Sequence, residues 1–318
     1  MLNHLSLSDQ LYDKATHFLL ELIQNADDNT YTTPTPTLNI VYENNSLRVD
    51  CNEVGFNAQN VEALCSIGNS TKSGLHHSTR YIGEKGIGFK AVFKVANVIW
   101  ISSGGYNFKL DKRKPLGMIT PIWMDFPLQL SPHYSTSFYL ELSPDYNKEE
   151  LLHDLRTLDP KILIFLRRLR AINLTITREG TMWKKSIRRS DQEQTYGPVV
   201  SLFQDDTSTQ YLIKKHYVKD LPTENKRPNC SEAEMLFGFP ICDVTKMPEM
   251  ASQNVYAFLP IRDYGFQVSS LSNILLPSIL TISSSYYNLI SCSQLIDKTL
   301  MLHPRGIVLS AVHSWTHS

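Results

Sequence analysis

The chain has no surplus of charge in either direction: 31 Lys and Arg stand against 31 Asp and Glu, and the pI is about 7.1. Proteins that neutralise many phosphates carry a basic excess, so this balance gives no electrostatic case for nucleic acid or an anionic membrane as partner. Cysteine is scarce. Five residues, an odd number without a C-x-x-C pair, exclude a disulfide framework and read as reduced thiols, which places the expected compartment in the cytoplasm or nucleus. No apolar signal core opens the chain, and no stretch reaches transmembrane length without polar interruption. His76 and His77 have no third ligand at suitable spacing, so they read as solvated loop residues, not a metal site. The Walker A loop and the G-x-G-x-x-G dinucleotide fingerprint are also missing.

Two segments supply the positive signal. THFLLELIQNADDN at 16–29 belongs to an amphipathic pattern from about Asp9 to Asp27, in which Leu11, Ala15, Phe18, Leu19, Leu22, Ile23 and Ala26 form one apolar stripe. Glu21, Asn25 and Asp28 share a face that flanks it. A solvated helix edge would look the same, but Glu21 could polarise a water and the amide oxygen of Asn25 could ligate Mg²⁺. YIGEKGIGFKAVFKVAN at 81–97 holds Gly83, Gly86 and Gly88 as G-x-x-G-x-G, followed by a helix-then-strand pattern. Glycines let backbone N–H groups approach an anion, and a helix starting at Gly88 would aim its positive end at phosphates. Together the segments make ATP the first ligand to consider. Lys85 and Lys90 read equally well as surface lysines.

Between them, LNIVYE and LRVDC are predicted as strands joined at Asn44-Asn45. A short helix is expected at Ala58–Cys65, then a polar run from Gly68 to Arg80 with the character of a lid. Helices are expected at Lys148–Leu158 and Lys161–Arg170. AINLTITREGTMWKKSIRR reads as two strands with a Glu-Gly turn, residues 190–210 and 219–233 as polar loops, and SLFQ, YLIKKHYV and VYAFLPI as short strands. The Lys184-Lys185, Arg188-Arg189 and Arg167-Arg168 clusters read as solvated faces.

Taken in order, E-x-x-x-N helix, hairpin, N-E-V-G-F, S-T-K and G-x-x-G-x-G-F, the chain resembles the GHKL ATPase superfamily of gyrase, the ninety-kilodalton heat-shock chaperone, histidine kinases and MutL. Within it, ELIQNADDN, NEVGF, CSIGNSTK, YIGEKGIGFKAVF and VYAFLPIRDYGF are most similar to sacsin and NO VEIN-type proteins, over about residues 8–267. The resemblance implies an α+β chain: a Bergerat two-layer α/β sandwich at 1–171, followed by a truncated second α+β domain of middle or transducer type at 172–267. It implies Glu21 as the water-activating carboxylate and Asn25 as the Mg²⁺ ligand. Gly83, Gly86, Gly88 and Phe89 match the phosphate-binding lid hinge, Thr71 falls in the lid, and Thr136 resembles the threonine that helps hold adenine. Gly55 matches the second glycine of D-x-G-x-G.

The aspartate of that motif is not where spacing demands it. Counting back from Gly55 reaches Cys51, between Asp50 and Asn52, while Glu53 replaces the first glycine. Strand alternation puts 50 and 52 on one side and Cys51 on the other, so Asp50 and Asn52 are the candidates for the base pocket and Cys51 is expected on the covered face. The implied activity is a nucleotide-dependent clamp, chaperone-like, with slow Mg-dependent ATP hydrolysis, a homodimer as an option and a protein client of unstated identity. A nucleotide-sensing or inert scaffold without turnover is the alternative.

Residues 268–318 change character, with 12 serines and three charged residues in 51 positions, and no serine-arginine-glutamate motif follows Tyr264-Gly265-Phe266. This tail is expected to be translated intron or out-of-frame sequence lacking stable packing; a divergent extension is the alternative.

Overall fold

A computed structural model describes residues 17–66, 88–195, 197–218, 233–241, 253–257, 259–266 and 269–272. The start of the first helix pattern, the polar run with Thr71, Gly83 and Gly86, most of 219–233, and the tail beyond Ser272 lie outside the described residues.

The elements, in order, are α1 His17–Asp28, β1 Thr37–Glu43, β2 Ser46–Cys51, α2 Ala58–Cys65, the 3-10 helix η1 Gly88–Lys94, β3 Ala96–Ser103, β4 Tyr106–Asp111, β5 Ile122–Trp123, β6 Thr136–Leu142, α3 Lys148–Thr157, α4 Ile162–Phe165, β7 Ala171–Arg178, β8 Thr181–Gln194, β9 Gly197–Gln204, β10 Thr207–Val218, β11 Ala233–Ile241, β12 Gln253–Ala257, β13 Leu259–Phe266 and β14 Ser269–Ser272. The chain divides into two compact units at Ser190–Asp191, residues 201–209 belonging with the first.

This corrects the expected architecture. The chain is mostly mixed β-sheet with few helices, not a two-layer Bergerat sandwich followed by an α+β domain, and no described element after Phe165 is helical. The polar run from Ser190, expected as loop, instead continues β8 to Gln194 and is followed by β9. Its signal was hidden because β8 is exposed on both faces along much of its length, so no apolar alternation marks it. Ser269–Ser272, inside the anomalous tail, pairs antiparallel with β11.

In the first unit the strands run β8-β7-β1-β2-β6-β3-β4-β5, with β1 and β7 parallel and the other neighbours antiparallel. In the second, β12 and β14 pair in parallel while β10–β11, β11–β14 and β12–β13 are antiparallel. Tight hairpins set the register of the first unit: Asn44 and Asn45 both have positive φ, as do Glu179 and Gly180, the geometry that matches strand twist.

One face of the first sheet carries Leu38, Ile40, Tyr42, Leu47, Val49, Cys51, Ile101, Leu140, Ile172 and Leu174, all buried. Buried residues of α1 (Phe18, Leu19, Leu22, Ile23), α3 (Leu151, Leu152, Leu155) and α4 complete the core. The opposite face presents Asn39, Arg48, Asp50 and Tyr139.

Asp27 fixes α1. Fully buried, it accepts hydrogen bonds from the backbone N–H groups of Arg167 (2.8 Å), Arg168 (2.7 Å) and Leu169 (2.8 Å), the segment that leads into β7. Removing the carboxylate would leave three donors unserved, so Asp27→Ala should lose on the order of 3–5 kcal/mol. Urea unfolding checks this: a lower midpoint at constant slope is expected, and a loss below about 1 kcal/mol would mean that water serves those donors instead.

Candidate functional site

Glu21 and Asn25 lie one turn apart on α1, both partly exposed where their helical neighbours Leu22, Ile23 and Ala26 are buried. α1 packs on η1, and this contact brings the two sequence segments together. A Cβ added at Gly88 would overlap Glu21 Oε2, so the carboxylate end of Glu21 lies directly against the Gly88 backbone and would have to swing aside for a side chain there. The expected α-helix after Gly88 is a 3-10 helix of seven residues. It is too short to act as an anion-binding helix end, so any anion contact here falls to individual groups.

Phe89 turns its ring into an aromatic group on the covered face: 5.5 Å from Phe138, which lies 6.2 Å from Phe56. Phe138 sits in central strand β6 between buried Val49 and Ile101, yet is itself partly exposed. The core therefore opens at that ring.

Next along β6, Thr136 is fully buried, and its hydroxyl lies 2.5 Å from Ser103 Oγ, which accepts the Phe56 N–H at 2.8 Å. Gly55, at φ +89°, and Gly104, at φ +58°, pack against one another's loops; a Cβ on Gly104 would overlap the Phe56 carbonyl oxygen. Backbone packing alone thus accounts for Gly55. Ser103, Phe56 and Phe138 were not among the expected site residues. Only Gly104-Gly105 hinted at them, as a turn, since the sequence does not show which loop the turn faces.

The strand end separates the base-pocket candidates. Cys51 points to the covered face, as alternation requires, but that is also the face of α1 and Thr136. Asp50 points the other way: Oδ1 accepts from Arg48 Nε (2.7 Å) and Ser137 Oγ (2.6 Å), and Oδ2 from Asn39 Nδ2 (3.3 Å). It lines a cleft of about 790 Å³ with Arg48, Tyr134 and Tyr139, remote in orientation from Glu21. Asn52 is occupied by backbone, accepting from Thr37 N–H at 2.7 Å and donating to the Thr35 carbonyl at 3.0 Å. Asp50 therefore lies on the face opposite Thr136, and the Asn52 carboxamide is engaged by the backbone that leads into β1.

Around Cys51 lie Tyr31 and Glu53. Tyr31 Oη is 3.0 Å from Cys51 Sγ and donates to the Ala26 carbonyl at 2.6 Å. Burial first, then the neighbouring Glu53 charge, pushes the Cys51 thiol up to about 12, and burial likewise raises Tyr31.

The basic clusters are structural on one side. Lys185 Nζ donates to the carbonyls of Leu158 (2.8 Å) and Arg156 (3.3 Å), and Arg189 Nη1 to those of Leu163, Ile164 and Leu166. Lys90 serves Leu64 and Met118 carbonyls, both at 2.6 Å, and burial lowers its pKa. Among the described residues no group of three or more His, Cys, Asp and Glu is arranged to hold a metal by itself, and no helix is long and apolar enough to cross a membrane.

No family model matches the chain. Protein NO VEIN of Arabidopsis thaliana is 31% identical to it over 303 residues, covering 86% of this chain and 10% of that protein. The chain is thus similar to one part of Protein NO VEIN. It spans about a tenth of the length of Protein NO VEIN, and the similarity extends across most of the sequence, taking in at least part of both compact units.

Two outcomes test the local geometry of the candidate site. Gly88→Ala should destabilise by no more than about 1 kcal/mol, since the end of the Glu21 side chain can swing aside, and by less still in a Glu21→Ala background, where the obstructing oxygens are gone. A double-mutant cycle by denaturant unfolding reads the coupling, and additivity would show that the two residues are not packed together. The second concerns pH. Because the folded Cys51 thiol holds its proton above the ordinary value of 9.0, its contribution to stability is complete below about pH 9 and is lost as pH rises toward about 12. The unfolding midpoint of the parent should therefore fall more steeply above pH 9 than that of Cys51→Ala; equal slopes would remove the thiol as a cause.

Proposed function

We propose that this chain is a GHKL-type nucleotide-binding module that takes ATP with Mg²⁺ and changes conformation with nucleotide state, as a chaperone-like clamp capable of slow hydrolysis. The observation that carries this reading is the packing of Glu21 on α1 against Gly88 of the glycine segment. Two chemically suggestive sequences far apart in the chain meet where the core opens onto aromatic rings. A Cβ-free backbone at Gly88 suits close approach of a phosphorylated ligand once Mg²⁺ offsets repulsion from the Glu21 carboxylate, and rings at Phe56, Phe89 and Phe138 suit a flat base.

Asn25 fits a role as protein ligand to Mg²⁺, which commonly takes one or two oxygens from protein and the rest from water and phosphate. When bound, the ion would neutralise phosphate charge. Glu21, one turn earlier on the same helix, would orient a water for attack. The half-buried position of both side chains keeps them accessible while limiting competing solvent. Homodimerisation, a protein client and an intracellular setting are part of the same proposal. A second reading is favoured by one feature: the neutral Cys51 thiol at the place of the adenine-binding aspartate suits a nucleotide sensor or inert scaffold that does not turn over.

Titration of the full chain with Mg·ATP separates these readings. Asn25→Ala should weaken Mg·ATP binding by on the order of 2–3 kcal/mol, with little effect when Mg²⁺ is omitted. Glu21→Ala should keep affinity and abolish any turnover. Unchanged Mg·ATP affinity in Asn25→Ala removes the metal-ligand role, and a folded parent that binds no nucleotide removes the proposal.

A further inference from the structure

The open face of the first sheet carries the cleft of about 790 Å³ that the nucleotide reading leaves unused. Its floor is built from alternate residues of the β1–β2 hairpin, Asn39, Val41 and Glu43 beside Arg48 and Asp50, and its wall is the segment 128–134. Arg48 joins the two. Its Nε donates to Asp50 Oδ1 at 2.7 Å and its Nη1 to the Gln129 carbonyl at 3.0 Å, while Nη2 has no hydrogen-bond partner among the described residues. The same holds for Asn39 Oδ1, whose amide nitrogen donates to Asp50 Oδ2 at 3.3 Å. Asn39 and Arg48 occupy diagonal positions of the ladder, so an unused donor and an unused acceptor share one floor. Leu128 and Leu130, 39% and 42% exposed, line the cleft together with Tyr134 and Tyr139.

Shape and charge select the occupant. From Asn39 to Glu43 the floor runs four strand steps, roughly 13 Å, which matches about four residues of extended chain. The only guanidinium in the lining is already neutralised by Asp50, and Glu43, exposed at the hairpin end, pairs with no cation among the described residues. An anionic ligand therefore meets no free positive charge from Lys or Arg. We infer that this cleft binds an extended peptide segment of a partner protein, apolar along its length and carrying Lys or Arg at the Glu43 end. Arg48 Nη2 and Asn39 Oδ1 serve a backbone C=O and N–H of that segment, and Leu128, Leu130 and Tyr134 take its apolar side chains. The inference does not rest on the nucleotide reading, because the cleft lies on the face opposite Thr136 and α1.

The test presents the full chain to an array of immobilised pentapeptides with blocked ends, four positions drawn from Leu, Ile, Val and Phe and the last position Lys, Gln or Glu. The Lys series should bind roughly fivefold tighter than the Glu series, the scale of an exposed ion pair set against a like-charge contact. Glu43→Lys, at an exposed position, should invert that order. Leu130→Glu should weaken all three series about tenfold or more by placing a charge on the apolar wall. Urea unfolding of both variants separates lost binding from lost fold; should Leu130→Glu lower the midpoint, Leu128→Glu on the same wall replaces it. A folded parent that binds none of the three series overturns the proposal, as does binding that both variants leave unchanged or that fails to distinguish Lys from Glu. Sedimentation supplies the remaining outcome: a parent dimer that Leu130→Glu dissociates would mean that a second copy closes the cleft, which overturns the peptide assignment.

Discussion

Each described α-helix lacks a glycine at its C-terminus, and each hands its last carbonyls to a cation from a distant part of the chain. Arg168 reaches the carbonyls of Asp27 and Asp28 at the end of α1, Lys90 that of Leu64 in α2, Lys185 those at the end of α3, and Arg189 those of α4. A short helix cannot leave such groups unserved against a core, and positive charge there also meets the negative end of the helix dipole. These contacts fix where helices lie on the covered face. α1 is held most firmly, because Asp27 takes three backbone N–H groups while Arg167 pairs with Asp28 at 3.0 Å.

That constraint reaches the site. The acidic end of α1 is immobilised on the segment leading into β7, and β7 pairs in parallel with β1. The helix is therefore registered at its C-terminal end against the segment that leads into β7, with Glu21 and Asn25 on its partly exposed edge. The glycine segment then needs only to pack η1 against α1 to bring Gly88 to Glu21.

Local signals were legible where the physics is local. Positive φ at Asn44, Asn45, Glu179 and Gly180 matches the turn chemistry of those dipeptides, and α2 runs from Ala58 to Cys65 behind an Asn57 capping box with Asn60. The candidate site was partly legible for the same reason: Glu21, Asn25 and Gly88 belong to strong short patterns. What could not be read depends on distant partners. Arg168, Lys185 and Arg189 look like solvated charge until the carbonyls they cap are in place. One signal was available, since paired aspartates at the end of α1 oppose its dipole and call for a donor set elsewhere. The long polar β8 and the 3-10 geometry of η1 left no periodic trace. The expected sandwich failed on these elements, because a two-layer reading needs helices where the chain continues as strand.

The strand end at residues 50 to 53 shows why a motif shifted by one position is not a small change. Side chains alternate across a sheet, so moving a carboxylate from 51 to 50 carries it through to the other face, where Arg48 and Ser137 hold it. A shift of two returns it to the original side. Glu53 lies beyond the last residue of β2, where the chain turns toward Gly55, and it remains buried beside Cys51 and Tyr31. Burial first, and then the adjoining Glu53 charge, keep the Cys51 thiol protonated, so the position that strand alternation assigns to the covered face carries no charge of its own.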